Sequence, residues 1–268
     1  MMKKKIKKSI EKFISKKGYF LLRKYELDFL DNKYTALIGD MEQVFLETVF
    51  ADVSTASKEK ELLAQLYGTS IPEAYYIIHY LRNSLKLAGE VCEFGVANGT
   101  ASALLAFEIK KTKKNLFLFD SFEGLSNPGP KDKLINDIFK LGSMKKYKGA
   151  MAYKKEEVIE RLKRISFPKN KTKIVEGYIE DVISQKAKLP KKVCFAYVDF
   201  DLYDPIRLSL DYLDCALSPK GYIVVDDYDY FSSGAKAAVD EFMLSHKKSY
   251  EIYFPKKFAG HFCILRKK

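Results

Sequence analysis

From Gly89 onward, short apolar runs alternate with amphipathic stretches of helical length, and this alternation limits the architecture more than any other property of the chain. The runs fall at 90–94, 116–119, 173–175, 193–198 and 222–225, followed by 250–253 and 261–265. Between them, helices are predicted over 101–110, 154–164, 205–217 and 235–244, with a further one over 72–82 ahead of the first run. Strand and helix in strict alternation imply a largely parallel sheet covered by helices on both faces. The fold class is therefore α/β. At 268 residues and 47% hydrophobic content, the chain can build one such domain plus a smaller appendage.

The appendage is expected at the start. Residues 3–17 place Ile6, Ile10, Phe13 and Ile14 at helical spacing among lysines, a basic amphipathic helix that suits an anionic membrane surface or a protein face. Residues 34–66 stay helical but irregular. We expect residues 1–70 to form an N-terminal helical cap or lid with oligomer contacts, and residues 71–268 the main domain. Residues 126–150, with their Pro, Gly and Lys content, read as an insertion or lid. The loop after the fourth run is well punctuated: Asp204 suits a helix cap, Pro205 a first helical position, and Pro219 and Gly221 a stop before the next strand. Asp199–Asp204 thus becomes a strand-to-helix loop, at the sheet edge where ligands gather.

The formal net charge of +12 allows an anionic partner or a lysine-biased solvated surface, because much of it lies outside the strands. Cys92, Cys194 and Cys263 sit in apolar runs and no CxxC pair occurs, the pattern of buried reduced thiols. No stretch reaches the roughly 20 apolar residues of a membrane span, and the start lacks the marks of a signal peptide. A cytoplasmic location is expected, with peripheral membrane contact through the basic helix as the variant. His79, His246 and His261 have no carboxylate motif beside them in sequence and are given no catalytic part.

Two sequence regions carry chemistry. After the first run comes Glu93-Phe94-Gly95-Val96-Ala97-Asn98-Gly99-Thr100, a two-glycine turn leading into a helix. It lacks the middle glycine of a dinucleotide loop, and Glu93 would repel a pyrophosphate while tolerating a cationic amino-acid ligand. The second run ends at Asp120, placed to take both ribose hydroxyls of an adenosine. An adenosine ligand without a diphosphate follows. The fourth run leads into Asp199-Phe200-Asp201 and the fifth into Asp226-Asp227. If those strands are neighbours, the acids converge and need protons or a cation between them. With only oxygen donors available, the ion is hard: Mg2+ first, with Mn2+ or Ca2+ as alternatives.

These residues resemble the macrocin O-methyltransferase-like family, which methylates sugar hydroxyls. The likeness runs from about Ile71 onward and rests on Ile71-Pro72-Glu73, the Glu93–Gly99 loop, Asp120-Ser121-Phe122-Glu123-Gly124-Leu125, Val198-Asp199-Phe200-Asp201-Leu202-Tyr203 and the segment from Ser218 to Tyr228. It implies a Rossmann-like class I methyltransferase fold, a seven-stranded mostly parallel sheet with an N-terminal helical cap. It also implies S-adenosylmethionine as methyl donor and Mg2+ as metal. Carried over residue by residue, Asp199, Asp226 and Asp227 become the metal ligands and Asp201 the general base. Glu93, Gly95, Asn98, Gly99, Asp120 and Ser121 would line the cofactor site, with Gly177 and Tyr178 bordering the adenine. The expected acceptor is a sugar or glycan hydroxyl, free, nucleotide-linked or in a polymer, as in polysaccharide biosynthesis, and the expected assembly a homo-oligomer. The rivals are a catechol-type O-methyltransferase and, from another class, a basic nucleic-acid-binding protein. Against the latter, no interleaved aromatic and basic motif occurs, so no nucleic acid is expected.

Overall fold

The computed structural model describes residues 24–185 and 189–268, so the basic helix read at 3–17 lies outside the described residues. Helices α1 (Lys24–Thr48), α2 (Ser57–Leu63) and α3 (Ile71–Ser84) precede the sheet. The body then alternates β1 (Glu90–Phe94), α4 (Thr100–Ile109), β2 (Leu116–Asp120), α5 (Lys155–Arg164), β3 (Thr172–Glu176), α6 (Ile179–Val182), β4 (Val193–Val198), α7 (Tyr203–Ala216) and β5 (Leu217–Val225). It closes with α8 (Ser233–His246), β6 (Tyr250–Tyr253) and β7 (Cys263–Lys267).

The seven strands lie in the order β3-β2-β1-β4-β5-β7-β6. The first five run parallel, and β7 is antiparallel to both β5 and β6. This is the expected Rossmann-like class I arrangement. Strand order reverses between β1 and β4, which opens a crevice at their carboxyl ends. In register, Phe94 pairs with Phe119 on one side and Val198 on the other, and Val198 pairs with Val225. The residues that follow, Gly95, Asp120, Asp199 and Asp226, therefore emerge side by side.

Every residue of β4 is buried, as a central strand covered on both faces requires. Phe195 and Tyr197 point into the core shared with α3, α4 and α5, whereas Ala196 and Val198 face the core under α7 and α8. Helix α3 starts cleanly because the Ser70 hydroxyl accepts the Glu73 N–H at 3.2 Å, with Pro72 in the first turn. Arg82 ties three helices together through Glu108 at 2.7 Å and Glu59 at 2.8 Å.

Two punctuation signals acted differently from expectation. Helix α7 begins at Tyr203, so Asp204 and Pro205 both lie inside its first turn: Asp204 is not the cap, and Pro205 is the third helical position and not the first. The capping oxygen comes from Asp132, which accepts the Tyr203 N–H at 2.8 Å from 71 residues upstream. Pro219 and Gly221 do not precede β5 but lie within it. There the register jumps from Val193↔Leu217 to Phe195↔Tyr222, and a bulge absorbs the residues that cannot pair. No helix among the described residues is long and apolar enough to cross a membrane.

Candidate active site

The carboxyl ends of β1, β2, β4 and β5 form the floor of a cleft of about 320 Å³. Gly95 makes this floor compact. Its φ is +86°, and a Cβ there would lie 1.8 Å from the Asp199 carbonyl oxygen. Only glycine lets the loop after β1 cross the end of β4 so closely. Asp120 then fixes the loop: one carboxylate oxygen accepts the N–H groups of Val96 at 2.6 Å and Ala97 at 3.0 Å, and the other that of Phe122 at 2.6 Å.

Of the eight residues expected around the cofactor, Gly95, Asp120, Ser121, Gly177 and Tyr178 line the cleft. Glu93, Asn98 and Gly99 lie behind it. Glu93 is 1% exposed and accepts the Ser102 hydroxyl at 2.5 Å, so it buttresses the start of α4. Burial pushes its carboxyl up to about 8, and its second oxygen has no partner among the described residues. Asn98 turns inward to accept the Thr100 N–H at 3.1 Å. Gly99 allows α4 to pack on α5, since a Cβ there would sit 3.0 Å from Val158. A side chain on the final turn of a strand points to either face of its loop, and the sequence does not say which.

Asp199, Asp201, Asp226 and Asp227 all line the same cleft. Asp201 and Asp227 hold left-handed backbone, φ +62° and +52°, conformations that cost energy and concentrate at functional sites. Burial, followed by the charges of Asp226 and Asp201, pushes Asp199 well above the usual carboxylate range. Burial and the same neighbours take Asp227 to about 11, while Asp201, which accepts a hydrogen bond from Asp227, rises to about 7. Packed together without a counter-ion, these acids hold protons between them. The donor chemistry fits a hard divalent cation, which would reverse those shifts. In this arrangement, however, no group of three or more His, Cys, Asp or Glu among the described residues is disposed to hold a metal ion.

Reading the sequence missed a further acid and its companion. Glu73, at 4% exposure, reaches the cluster from α3, and burial together with Asp226 and Asp199 drives its carboxyl well upward. Tyr197, fully buried, stands between them. The sequence signals were the Ile71-Pro72-Glu73 motif of the family resemblance, to whose glutamate no role was given, and a tyrosine inside an apolar run.

Two segments cover the cleft. The strap before α3 brings Tyr67, whose backbone is clipped to the Thr100 hydroxyl at both N–H (3.2 Å) and carbonyl (3.3 Å). Opposite, the 126–150 insertion closes on itself at Leu125, Gly149 and Ala150 through bonds of 2.9 Å. A small core of Met144, Tyr147, Leu202 and Phe231 anchors it, and Ile138 and Phe139 project into the cleft.

Solved structures with this fold include the O-methyltransferase NovP, at TM-score 0.63 and 19% identity, covering 74% of this chain and 81% of that one. The calicheamicin methyltransferase CalS11 aligns at TM-score 0.60 and 18% identity, over 93% and 95% of the two chains. In sequence, the 8-demethyl-8-(2,3-dimethoxy-alpha-L-rhamnosyl)-tetracenomycin-C 4'-O-methyltransferase of Streptomyces olivaceus is 24% identical over 143 residues, covering 52% of this chain. The chain spans about half the length of that curated relative, 53%. The model of the macrocin O-methyltransferase family (TylF) matches residues 81–254, well over half of the sequence, and the chain belongs to that family.

Proposed function

We propose that this protein transfers the methyl group of S-adenosylmethionine to a sugar hydroxyl, with Asp201 as general base and Asp199, Asp226 and Asp227 as the holders of a divalent cation, Mg2+ by first choice. The observation that carries the reading is the single cleft joining the Asp120-anchored loop to the acids at the ends of β4 and β5. A donor on one half and an acceptor on the other would meet across Gly95.

Gly177, Tyr178 and Ser121 would border the adenosine, and Asp120 would take the ribose hydroxyls. When bound, the cation supplies Lewis acidity that lowers the pKa of an adjacent hydroxyl. The hydroxyl oxygen attacks the methyl carbon in line, the carbon–sulfur bond breaks, and its electron pair stays on sulfur to give S-adenosylhomocysteine. The proton passes to Asp201 as the new bond forms. The sulfonium is already activated, so no covalent enzyme intermediate is needed.

Among the described residues, the cleft lining holds six carboxylates (Asp120, Glu180, Asp199, Asp201, Asp226 and Asp227) and no Lys, Arg or His. That favours a neutral sugar next to the acids over one whose phosphates would sit there. The test is a panel of neutral glycosides, nucleotide-linked sugars and catechols, read by S-adenosylhomocysteine release before and after metal stripping. Turnover on a glycoside that metal removal abolishes is expected. Turnover confined to catechols, or unaffected by exhaustive chelation, overturns the reading.

A further inference from the structure

We propose that Tyr197 is a positioning residue: its one hydroxyl, reached from beneath the sheet edge, orients Asp226, one of the aspartates read above as a ligand of the divalent cation. The inference rests on the reading of those aspartates as ligands. Tyr197 is fully buried and absent from the cleft lining, so it acts through other side chains and not on substrate.

Its phenolic oxygen lies 2.9 Å from Asp226 Oδ2, 3.4 Å from Asp199 Oδ2, 3.3 Å from Glu73 Oε1 and 3.3 Å from Thr69 Oγ1. A hydroxyl has one proton and two acceptor lone pairs. The shortest of the four contacts gives that proton to Asp226. The other oxygen of Asp226 accepts the Asp227 N–H at 2.7 Å. Each oxygen of this carboxylate is thus fixed by a donor on a different strand, Tyr197 from β4 and Asp227 from the end of β5. The same phenol oxygen stands 3.4 Å from Asp199 Oδ2, but with its proton on Asp226 it cannot also donate there, so it is Asp226 that the phenol fixes. Thr69 and Glu73, from the strap and the start of α3, hold the phenol from the other side. Outer partners of this kind orient the groups that ligate, and losing one lowers affinity for the ion.

The experiment measures Mn2+ binding to metal-stripped full-length protein by electron paramagnetic resonance and calorimetry, beside S-adenosylhomocysteine affinity and a thermal melt. Tyr197→Phe is expected to weaken Mn2+ binding about 10- to 100-fold while S-adenosylhomocysteine affinity stays unchanged. Tyr75→Phe removes an equally buried hydroxyl, bonded to the Ile38 carbonyl at 3.1 Å, and should leave Mn2+ affinity alone. Thr69→Val, which alters no acid and keeps the phenol, should weaken Mn2+ modestly and serves if Tyr197→Phe does not fold. Wild-type Mn2+ affinity in a folded Tyr197→Phe protein, with Asp226→Asn unable to bind, overturns this inference and leaves the metal reading standing. No saturable Mn2+ binding by the wild type overturns both.

Discussion

Replacing Gly95 by alanine tests whether the two halves of the cleft share one joint. The φ of +86° costs a non-glycine residue about 1–2 kcal/mol. The added Cβ would also stand 1.8 Å from the Asp199 carbonyl oxygen, where real contacts stay beyond 3.0 Å. The strand end must retreat by about 1 Å, and overpacking of that kind typically adds about 1–3 kcal/mol. The expected loss is therefore about 2–5 kcal/mol, a large part of the stability of a domain. Gly142→Ala provides the reference, since Gly142 has nearly the same φ, +82°, and nothing within 4 Å of its would-be Cβ. It should show the backbone strain alone, about 1–2 kcal/mol. Urea denaturation of both variants gives the difference, and calorimetry with S-adenosylhomocysteine shows whether the joint matters to binding. Gly95→Ala should bind at least tenfold more weakly than wild type, a loss of about 1.4 kcal/mol or more, and Gly142→Ala normally. Equal stability losses, or undiminished binding by Gly95→Ala, would refute the argument.

Asp201→Asn should keep S-adenosylhomocysteine affinity and lose turnover by about 10²–10⁴, the usual worth of a general base; single-turnover kinetics decide it. Glu93, raised to about 8 from an ordinary 4.5, makes the folded state hold a proton that the unfolded chain releases. Its contribution is complete below pH 4.5 and disappears as pH rises through 8, so Glu93→Gln should gain on the wild type between those values, by a few kcal/mol at most. Urea melts at pH 5.5 and 8.5 that run parallel for the two proteins would exclude this. Asp132→Ala, which removes the cap on α7, should cost about 0.5–2 kcal/mol and speed amide exchange at Tyr203. Tyr147→Phe deletes the hydroxyl that donates to Asp137 at 2.7 Å and accepts from the Phe139 N–H at 2.9 Å, and should raise amide exchange across 137–142 with little effect elsewhere.

Elements whose signals are local are legible in the amino-acid order itself. The apolar runs at 90–94 and 193–198 form β1 and β4 at the expected bounds, and Asp199 and Asp226 do fall on adjacent strand ends. What escapes depends on distance along the chain. Asp132 caps a helix 71 residues away, so the nearer Asp204 looks like the cap. Glu73 joins the acids only because α3 packs across β4 and β5. Tyr197 reads as one more apolar strand residue until its hydroxyl is seen among carboxylates. Glu93 and Asn98 carry the composition of a ligand loop, yet their side chains face inward, because a loop residue's direction follows from backbone angles that composition does not encode. Pro219 and Gly221 do mark an interruption, but as a bulge inside β5 and not as its boundary.

The strand order β5-β7-β6 also makes the far side of the sheet depend on its last strand. β6 has β7 as its strand partner, and residues 263–267, later in the chain, slot between it and β5. Without β7, the strand β5 that leads into Asp226 and Asp227 would present an open edge of the kind that recruits strands from other chains. Removing 263–267 would leave β5 with that open edge, so a protein shortened in this way is expected to self-associate through it.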